Sequence, residues 1–304
     1  MRFKAKLSLA MGCTALVIAA LGFAISSSHA QDEIDGDVLR GGQLYYAWDR
    51  VLEVPLPERD QPIWKEVAPG LDYDPHTWRC VTCHGWDYRG SEGVNQRAVV
   101  KRSGFPGLFE MVAEPEKKIT SWINGVRNSG HDFSEYFSDQ DYKDLSAFLS
   151  AGLIAPDFIA DLDTRLVSGT LSTGEEIYIE MCLSCHGVDG EKINFGGAVA
   201  PLYLADISLH NPWRVSHVVR FGHLGINMPA GEVVDVSFSQ QIDLLTYTQS
   251  LPQAKIIGSE EYPVIEYDSQ ADTAMLAYGA ISLMVIVVGG TFLVMKRYQK
   301  MQQP

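Results

Sequence analysis

The feature that most constrains this chain is a repeated cysteine motif. The pattern CxxCH occurs at residues 80–84 and again at 182–186, and the two copies use every cysteine except Cys13. Two thiols three residues apart on a helical turn can both form thioethers to the vinyl groups of one haem, and the next residue offers an imidazole to the iron. This spacing is the attachment signature of c-type haem. Two covalently attached haem c groups are therefore predicted, held by Cys80, Cys83, His84, Cys182, Cys185 and His186.

Three other uses of cysteine pairs account for the sequence less well. A structural disulfide in an oxidising compartment leaves the following histidine without a role. A zinc site needs deprotonated thiols, which is unfavourable in an exported chain. A thioredoxin-like CxxC motif needs a βαβ setting, and the sequence does not indicate one.

The N-terminal segment predicts export. Three basic residues precede an apolar run over residues 7–25, and a small-x-small pattern ends at Ala30. This arrangement is typical of a signal peptide, which we place at residues 1–30. The alternative is an uncleaved N-terminal anchor, whereas Cys13 lies in poor surroundings for lipidation.

The C-terminal segment predicts a membrane span. Residues 274–295 form a stretch of 22 residues without a charged side chain, which as a helix at about 1.5 Å per residue crosses a bilayer core. Basic residues follow it, so the positive-inside rule places the tail 296–304 in the cytoplasm. Residues 253–273 are predicted to be a linker. We therefore expect a single-pass protein of the bacterial inner membrane, with its haem domains in the periplasm.

The net charge of the chain limits the classes of partner that we expect it to bind. The 304 residues carry 24 Lys and Arg against 38 Asp and Glu, a net charge of −14, and removing residues 1–30 leaves a net −17. Nucleic acid is not expected as a partner, because its binding depends on basic residues that neutralise phosphates. A soluble redox partner is expected to present a basic docking face.

An internal repeat predicts the domain organisation. Before the motifs, Gly42–Tyr45 is similar to Gly174–Tyr178, and a glycine follows each motif. Each half also ends in an amphipathic helix, one behind Ser138 and the other behind a capping box at Ser237. The apolar faces of these helices comprise Tyr142, Leu145, Phe148 and Leu149 in the first, and Ile242, Leu244 and Leu245 in the second. We predict an all-α chain with two tandem haem domains, at residues 31–152 and 153–252, followed by the transmembrane helix.

Both halves resemble the class I cytochrome c family, over about residues 38–252. The resemblance implies a small all-α domain whose first and last helices cross beside the haem, with the motif histidine on one face of the iron and usually methionine on the other. In the second half, Gly174–Cys182 looks like the first helix, and Ala200–Leu202 looks like the Pro-containing loop whose carbonyl orients the proximal imidazole. Asn227–Pro229 looks like the Met-Pro loop, which makes Met228 the implied second iron ligand.

The ligand at Met228 has alternatives. A methionine at this position could simply pack in the core. Three histidines, His210, His217 and His223, are competing ligands, and His223 is the nearest of them to Met228 in sequence.

The first half departs from the family pattern in two respects. About 28 residues rich in proline and acidic groups separate its first helix, whose predicted apolar face includes Leu44 and Trp48, from Cys80, and it contains no Met-Pro sequence. The insertion could cover a haem edge or form a partner surface. Aligning residues 119–123 with 215–219 brings His131 to the position of Met228, so His84 and His131 are predicted to ligate the first iron. The alternatives are Met111 and an open sixth position.

This difference in ligands suggests a function. A second imidazole in place of a thioether lowers the potential of an iron, so the first haem is expected to be the low-potential site. The predicted function is transfer of single electrons between partners of a respiratory or photosynthetic chain, without a small-molecule substrate.

Two alternatives remain open at this point. One is a haem enzyme, either a peroxidase or an oxidoreductase of sulfur compounds. The other is a dedicated cytochrome subunit of a dehydrogenase complex, docked through aromatic residues that could equally pack around the first haem and the insertion. These residues are Tyr73, Trp78, Trp86, Tyr88, Phe105 and Phe109.

Overall fold

The computed structural model describes residues 35–67, 74–197, 200–225, 228–231 and 234–254. In these ranges the secondary structure is helical, with two isolated β-bridges and no strand, so the all-α prediction is confirmed for this part of the chain. The α-helices are α1 (Val38–Val51), α2 (Pro62–Val67), α3 (Cys80–His84), α4 (Ala98–Ser103), α5 (Glu116–Ile123), α6 (Asp139–Ala147), α7 (Leu171–Ile177), α8 (Leu183–His186), α9 (Leu204–His210), α10 (Pro212–Phe221) and α11 (Phe238–Ser250).

Two α-helices continue into a wider π-helical turn. α6 runs on into Phe148–Gly152, and α7 runs on into Tyr178–Cys182. The second of these turns ends at the first cysteine of the second motif. The predicted first helix of the second half, Gly174–Cys182, is thus confirmed as the end of α7 followed by its π-turn.

The predicted terminal segments are not part of this description. The signal peptide 1–30, the span 274–295 and the tail 296–304 lie outside the described residues, as does the linker beyond Ala254. Of the helices in the described ranges, none has the length and apolar character needed to cross a membrane.

The first and last helices of the first half, α1 and α6, pack against each other. Asp37 caps α1 with its carboxylate, and Ser138 and Asp141 form a capping box at the start of α6. Arg40 joins the two helices through ion pairs with Asp141 and Asp144. The predicted Ser138 cap is confirmed, and the helix behind it buries all four residues of its predicted apolar face.

The same crossing recurs in the second half, between α7 and α11. The predicted capping box at Ser237 and Gln240 begins α11 and is confirmed. Along that helix Leu244 and Leu245 are buried as predicted, while Ile242 is only partly buried.

A glycine permits the close approach of the helices in each half. A Cβ on Gly41 would collide with the carbonyl of Asp144, and a Cβ on Gly174 would collide with the carbonyl of Asp243. The equivalent of Gly174 is therefore Gly41, one residue before the glycine that the sequence comparison paired with it. Gly42 instead lies against the ring of Phe221.

The insertion before the first motif packs onto the first half. Trp78, at its end, is buried and donates from Nε1 to the carbonyl of Arg59 (2.7 Å). Its own carbonyl accepts from Nε1 of Trp48 on α1 (2.8 Å). The next residue, Arg79, forms a buried two-point ion pair with Asp49, at 2.9 Å for both contacts. These bonds fix the chain immediately before Cys80.

The two halves meet at a buried histidine on α10. His217 is 2% exposed, accepts a hydrogen bond at Nδ1 from the hydroxyl of Tyr88 (2.7 Å) and donates from Nε2 to the carbonyl of Gly42 (3.1 Å). Burial lowers its pKa to about 3, so the ring is neutral. Further hydrogen bonds cross the same boundary, from Gln43 Nε2 to the carbonyl of Phe221 (2.9 Å) among others.

We predict that Gly174→Ala destabilises the fold by about 1–3 kcal/mol, because the helix backbone opposite has no room for a methyl group. The free energy of unfolding in urea measures this. Gly197→Ala is the matched control, since a Cβ at Gly197 meets no described atom within 4 Å. Equal stabilities of the two variants would contradict the close crossing.

A second prediction concerns acid stability. The pKa of His217 is lowered to about 3 in the folded protein, against about 6.5 when unfolded, so the unfolded state takes up the extra proton as pH falls below 6.5. The stability that the neutral ring provides is complete above pH 6.5 and is lost progressively towards pH 3. Between pH 7.5 and pH 5 this loss amounts to about 2 kcal/mol.

His217→Gln is the variant that tests this, because its amide can keep both hydrogen bonds and does not titrate. We expect the stability of His217→Gln to fall by about 2 kcal/mol less than that of the wild type over this pH range, as measured by urea unfolding at each pH. An identical pH dependence in the two proteins would refute the assignment.

Candidate functional site

The two CxxCH motifs are held in the same way. α3 ends at Gly85 (φ 79°, ψ 166°) and α8 ends at Gly187 (φ 82°, ψ 166°), a conformation that favours glycine because it has no Cβ. A tyrosine hydroxyl donates to each of these glycine carbonyls, from Tyr45 (2.5 Å) and from Tyr178 (2.6 Å). Each tyrosine follows its helix-crossing glycine by four residues. Each motif is therefore fixed to the first helix of its own half.

The four motif cysteines are present as thiols. All four are free in the structure, so neither pair forms a disulfide. Burial raises the pKa of Cys80 and of Cys83 to about 12 and that of Cys182 to about 11, so these three thiols are protonated at neutral pH. The described residues also contain no group of three or more His, Cys, Asp or Glu able to hold a metal ion.

The imidazole of the first motif is oriented by a backbone carbonyl. Nδ1 of His84 donates to the carbonyl of Pro106 at 3.0 Å. Burial, reinforced by the proximity of His131, lowers the pKa of His84 to about 4. The ring is neutral, and the proton at Nδ1 leaves the lone pair of Nε2 available to a metal.

Pro106 was not identified from the sequence. The available signal was a proline between Phe105 and Gly107, placed after the first motif much as Pro201 is placed after the second. The longer loop of the first half hid this correspondence, since Pro106 follows His84 by 22 residues and Pro201 follows His186 by 15.

His131 lies opposite His84. The two ring centroids are 6.3 Å apart and the ring planes are at 83°. Nδ1 of His131 donates to the carbonyl of Trp122 (2.7 Å), and burial lowers the pKa of His131. An imidazole–metal bond of about 2 Å on each side, plus about 1.2 Å from each nitrogen to its ring centre, requires a separation of about 6 Å. The spacing of the two rings thus fits two imidazoles on opposite sides of one iron.

Several hydrogen bonds hold the loop that carries His131. It folds back on the end of α5, where the amide of Phe133 donates to the carbonyl of Ile123 (2.9 Å) and Asn124 pairs with Asp132. The insertion reaches it too, because Nε2 of Gln61 donates to the carbonyl of Gly130 (2.6 Å). Part of the insertion therefore supports the predicted ligand loop.

The second motif histidine has an unmatched polar atom. The ring of His186 stacks on Phe195 (6.2 Å between centroids, 24°), and its Nδ1 is buried with no hydrogen-bond partner among the described residues. The bond that the resemblance implied from this ring to the loop at residues 200–202 is not made. The amide of Leu202 instead donates to Oδ1 of Asn194 (3.0 Å), and its carbonyl accepts from the amide of Phe195 (2.8 Å).

Met228 is part of a loop like that of His131. Its carbonyl accepts from the amide of His223 (3.1 Å), which folds the loop back on the end of α10, and its side chain is partly buried. Asn227, in the same predicted motif, lies outside the described residues. Both candidate ligands therefore follow a helix by one short turn closed through a β-bridge.

Two of the competing histidines are engaged elsewhere. Both ring nitrogens of His217 are hydrogen bonded at the boundary between the halves. Those of His223 contact the hydroxyl of Tyr46 (3.1 Å) and the carbonyl of Leu224 (3.2 Å). His210 lines a cavity of 110 Å³ that Trp86 also lines. In the first half, Met111 packs against the hydrophobic core.

The aromatic residues considered as a docking surface are mostly internal. Trp78 is 2% exposed and Tyr88 is 4% exposed, so for these two the alternative of internal packing holds. Trp86, Phe105 and Phe109 are partly buried, and each packs against a hydrophobic cluster of the chain. Tyr73 lies outside the described residues.

Comparison with known proteins gives a match within the second half. Residues 169–240 match the family model described as cytochrome C oxidase, cbb3-type, subunit III. This range contains the second motif and Met228, and it supports a c-type cytochrome that takes part in electron transfer and carries covalently bound haem c. Neither the curated proteins nor the solved structures provide a match to the chain.

Proposed function

We propose that the chain is a membrane-anchored dihaem c-type cytochrome that transfers single electrons between partners of a respiratory or photosynthetic chain on the periplasmic side. The observation that carries the proposal beyond a single haem is the first site, where the same motif geometry recurs and His84 faces His131 across 6.3 Å. Haem c, when bound, supplies an iron that gains and loses one electron.

At the first site each residue has a defined task. Cys80 and Cys83 hold the cofactor through thioethers, and His84 and His131 bind the iron through Nε2. The carbonyls of Pro106 and Trp122 keep the proton of each imidazole at Nδ1. Such fixed hydrogen bonds set the orientation and basicity of metal-binding histidines. A cluster around buried Trp64 packs on Cys83 and excludes water from that side.

At the second site Cys182 and Cys185 attach the cofactor and His186 binds the iron. Met228 is the proposed second ligand, and its thioether, a soft donor, raises the potential of the iron. The first site, with two imidazoles, is then the lower in potential. Electrons enter at the first haem and leave from the second.

The net charge and the predicted terminal segments indicate the kind of partner and the location of the protein. Without residues 1–30 the chain has a net charge of −17, which favours a soluble partner with a basic face and fast, salt-sensitive association. The predicted span 274–295 anchors the haem domains to the bacterial inner membrane, and the linker 253–273 keeps them near membrane-bound partners, which raises their effective concentration.

A second candidate is a cytochrome subunit that stays bound in a larger complex. It is favoured by the family match, because the model that matches residues 169–240 is that of an oxidase subunit. The chemistry of the two haems is the same in both proposals, and they differ in whether the partner is permanent.

The central prediction is two haems with different ligands. The full-length protein should contain two covalent haems per chain, by mass and haem absorbance, and show two separated low-spin transitions in a redox titration followed by absorbance and EPR. His131→Ala should convert the low-potential haem to a high-spin form, because it removes an axial ligand. Met228→Ala should perturb only the high-potential haem and lower its potential.

Three outcomes would contradict this assignment. A single covalent haem would exclude the dihaem proposal. Transitions in the reverse order would exclude the proposed direction of electron flow. A high-spin iron in the wild type that binds CO rapidly would instead favour a haem enzyme, such as a peroxidase or an oxidoreductase of sulfur compounds.

The nature of the partner is tested separately. For an exchanging carrier we expect oxidation by a basic soluble electron acceptor to slow steeply as ionic strength increases, because screening weakens long-range attraction. The measurement is the second-order rate constant at several salt concentrations. A neutral acceptor provides the control and should show little salt dependence. Stable co-purification of another chain from detergent-solubilised membranes would favour the permanent subunit.

A further inference from the structure

Three hydrophobic clusters connect the two motifs. The first-half cluster surrounds Tyr45 and includes Cys80 at its edge. The middle cluster surrounds Trp213 and Val215 of α10. The second-motif cluster surrounds Tyr178 and includes Cys182 at its edge.

Very few described residues belong to two of these clusters. Trp86 is the one that packs against both the first-half cluster and the middle cluster. Phe195 and Val219 pack against both the middle cluster and the second-motif cluster. Packed side chains thus connect Cys80 to Cys182. On the side of the first motif Trp86 is the hydrophobic side chain common to the two clusters, beside the contacts that His217 of α10 makes with Tyr45 and Tyr88.

Trp86 is held at this position by groups from both halves. Its ring lies 5.1 Å from that of Tyr46 and 5.4 Å from that of His217, and the guanidinium of Arg214 lies over it at 5.7 Å. Trp86 follows His84 by only two residues, so its backbone is joined directly to the first motif. These contacts fix the indole between the first motif and α10.

The other end of the route reaches the second motif. The ring of Phe195 stacks on that of His186 at 6.2 Å. Val219 lies on α10 two turns after Pro212 and contacts the cluster that includes Cys182. The route from the first motif therefore ends at both kinds of residue that hold the second haem.

We propose that Trp86 is a positioning residue for electron transfer between the two haems. One electron leaves the reduced iron at the first site and arrives at the oxidised iron at the second, and no proton or bond changes place. Trp86 is not itself oxidised. It fills the boundary with closely packed atoms, through which electron tunnelling decays less steeply than across a gap. This inference rests on the proposed dihaem function.

The test compares two substitutions at one position. Trp86→Leu removes the aromatic ring, and Trp86→Phe keeps a ring in the same place. The rate of electron equilibration between the haems, after photoreduction of the full-length holoprotein, should fall at least tenfold in Trp86→Leu and less than threefold in Trp86→Phe. The midpoint potentials and low-spin EPR spectra of both haems should be unchanged in both variants.

Phe158→Leu is the control that removes an aromatic ring elsewhere. Phe158 is 72% exposed, packs against none of the three clusters and has no part in either site. This substitution should leave the internal rate unchanged. Thermal unfolding of each variant separates loss of the route from loss of the fold.

Some results would contradict the role of Trp86 and leave the proposed dihaem function unaffected. Equal internal rates in Trp86→Leu and wild type would exclude Trp86 from the route. Slowing with altered potentials or EPR spectra in both Trp86 variants would show that the residue only maintains the haem site. If Trp86→Leu does not fold, the test rests on Trp86→Phe alone. A tenfold slower rate in Trp86→Phe than in the wild type would then refute the role of an aromatic ring. Haem content of the wild type, measured on the same preparation, tests the dihaem proposal independently.

Discussion

The arrangement of both motifs depends on one buried hydrogen bond, from a tyrosine on the first helix to the carbonyl of the glycine that ends CxxCH. Tyr45 makes this bond to Gly85, and Tyr178 makes it to Gly187. The tyrosine can reach because the first helix lies very close to the last, at a glycine four residues earlier. The helix crossing therefore sets the position of the cysteines and of the histidine. A carbonyl left without this donor would be costly in a buried place.

The two halves have the same crossing of first and last helices but carry different candidate ligands. In each half the candidate loop folds back on the preceding helix through a β-bridge, and the difference lies in the side chain that the loop carries, His131 or Met228. The support of the loops also differs, since the insertion contacts only the first of them through Gln61. Under the proposed function, this difference in ligand gives the two irons different potentials, since the axial ligand tunes the potential.

Several features of the site follow from sequence. The capping boxes and apolar periodicity located the last helix of each half, because these signals depend on neighbouring residues alone. The CxxCH spacing predicts the haem-binding cysteines and histidines, which stays a prediction. The sequence comparison pairs Gly174 with Gly42, whereas the structural equivalent of Gly174 is Gly41. A four-residue match cannot show which glycine faces a carbonyl. The loop at residues 200–202 does not supply the bond to His186, and the amide and carbonyl of Leu202 bond Asn194 and Phe195 instead. For Trp78 and Tyr88 the sequence left a docking surface and internal packing both open, because aromatic character does not distinguish a docking patch from a core.

The sequence by itself determined the helical class and the repeated motif on which the proposed covalent chemistry rests. These depend on residue spacing and local propensity, which are readable along the chain. The tertiary structure determined which residues, distant in sequence, contact each other. It brought His131 to within 6.3 Å of His84 from 47 residues away, buried His217 between the halves, and left Trp86 as the residue shared by two hydrophobic clusters. Such contacts join distant residues through packing, and no local pattern encodes them.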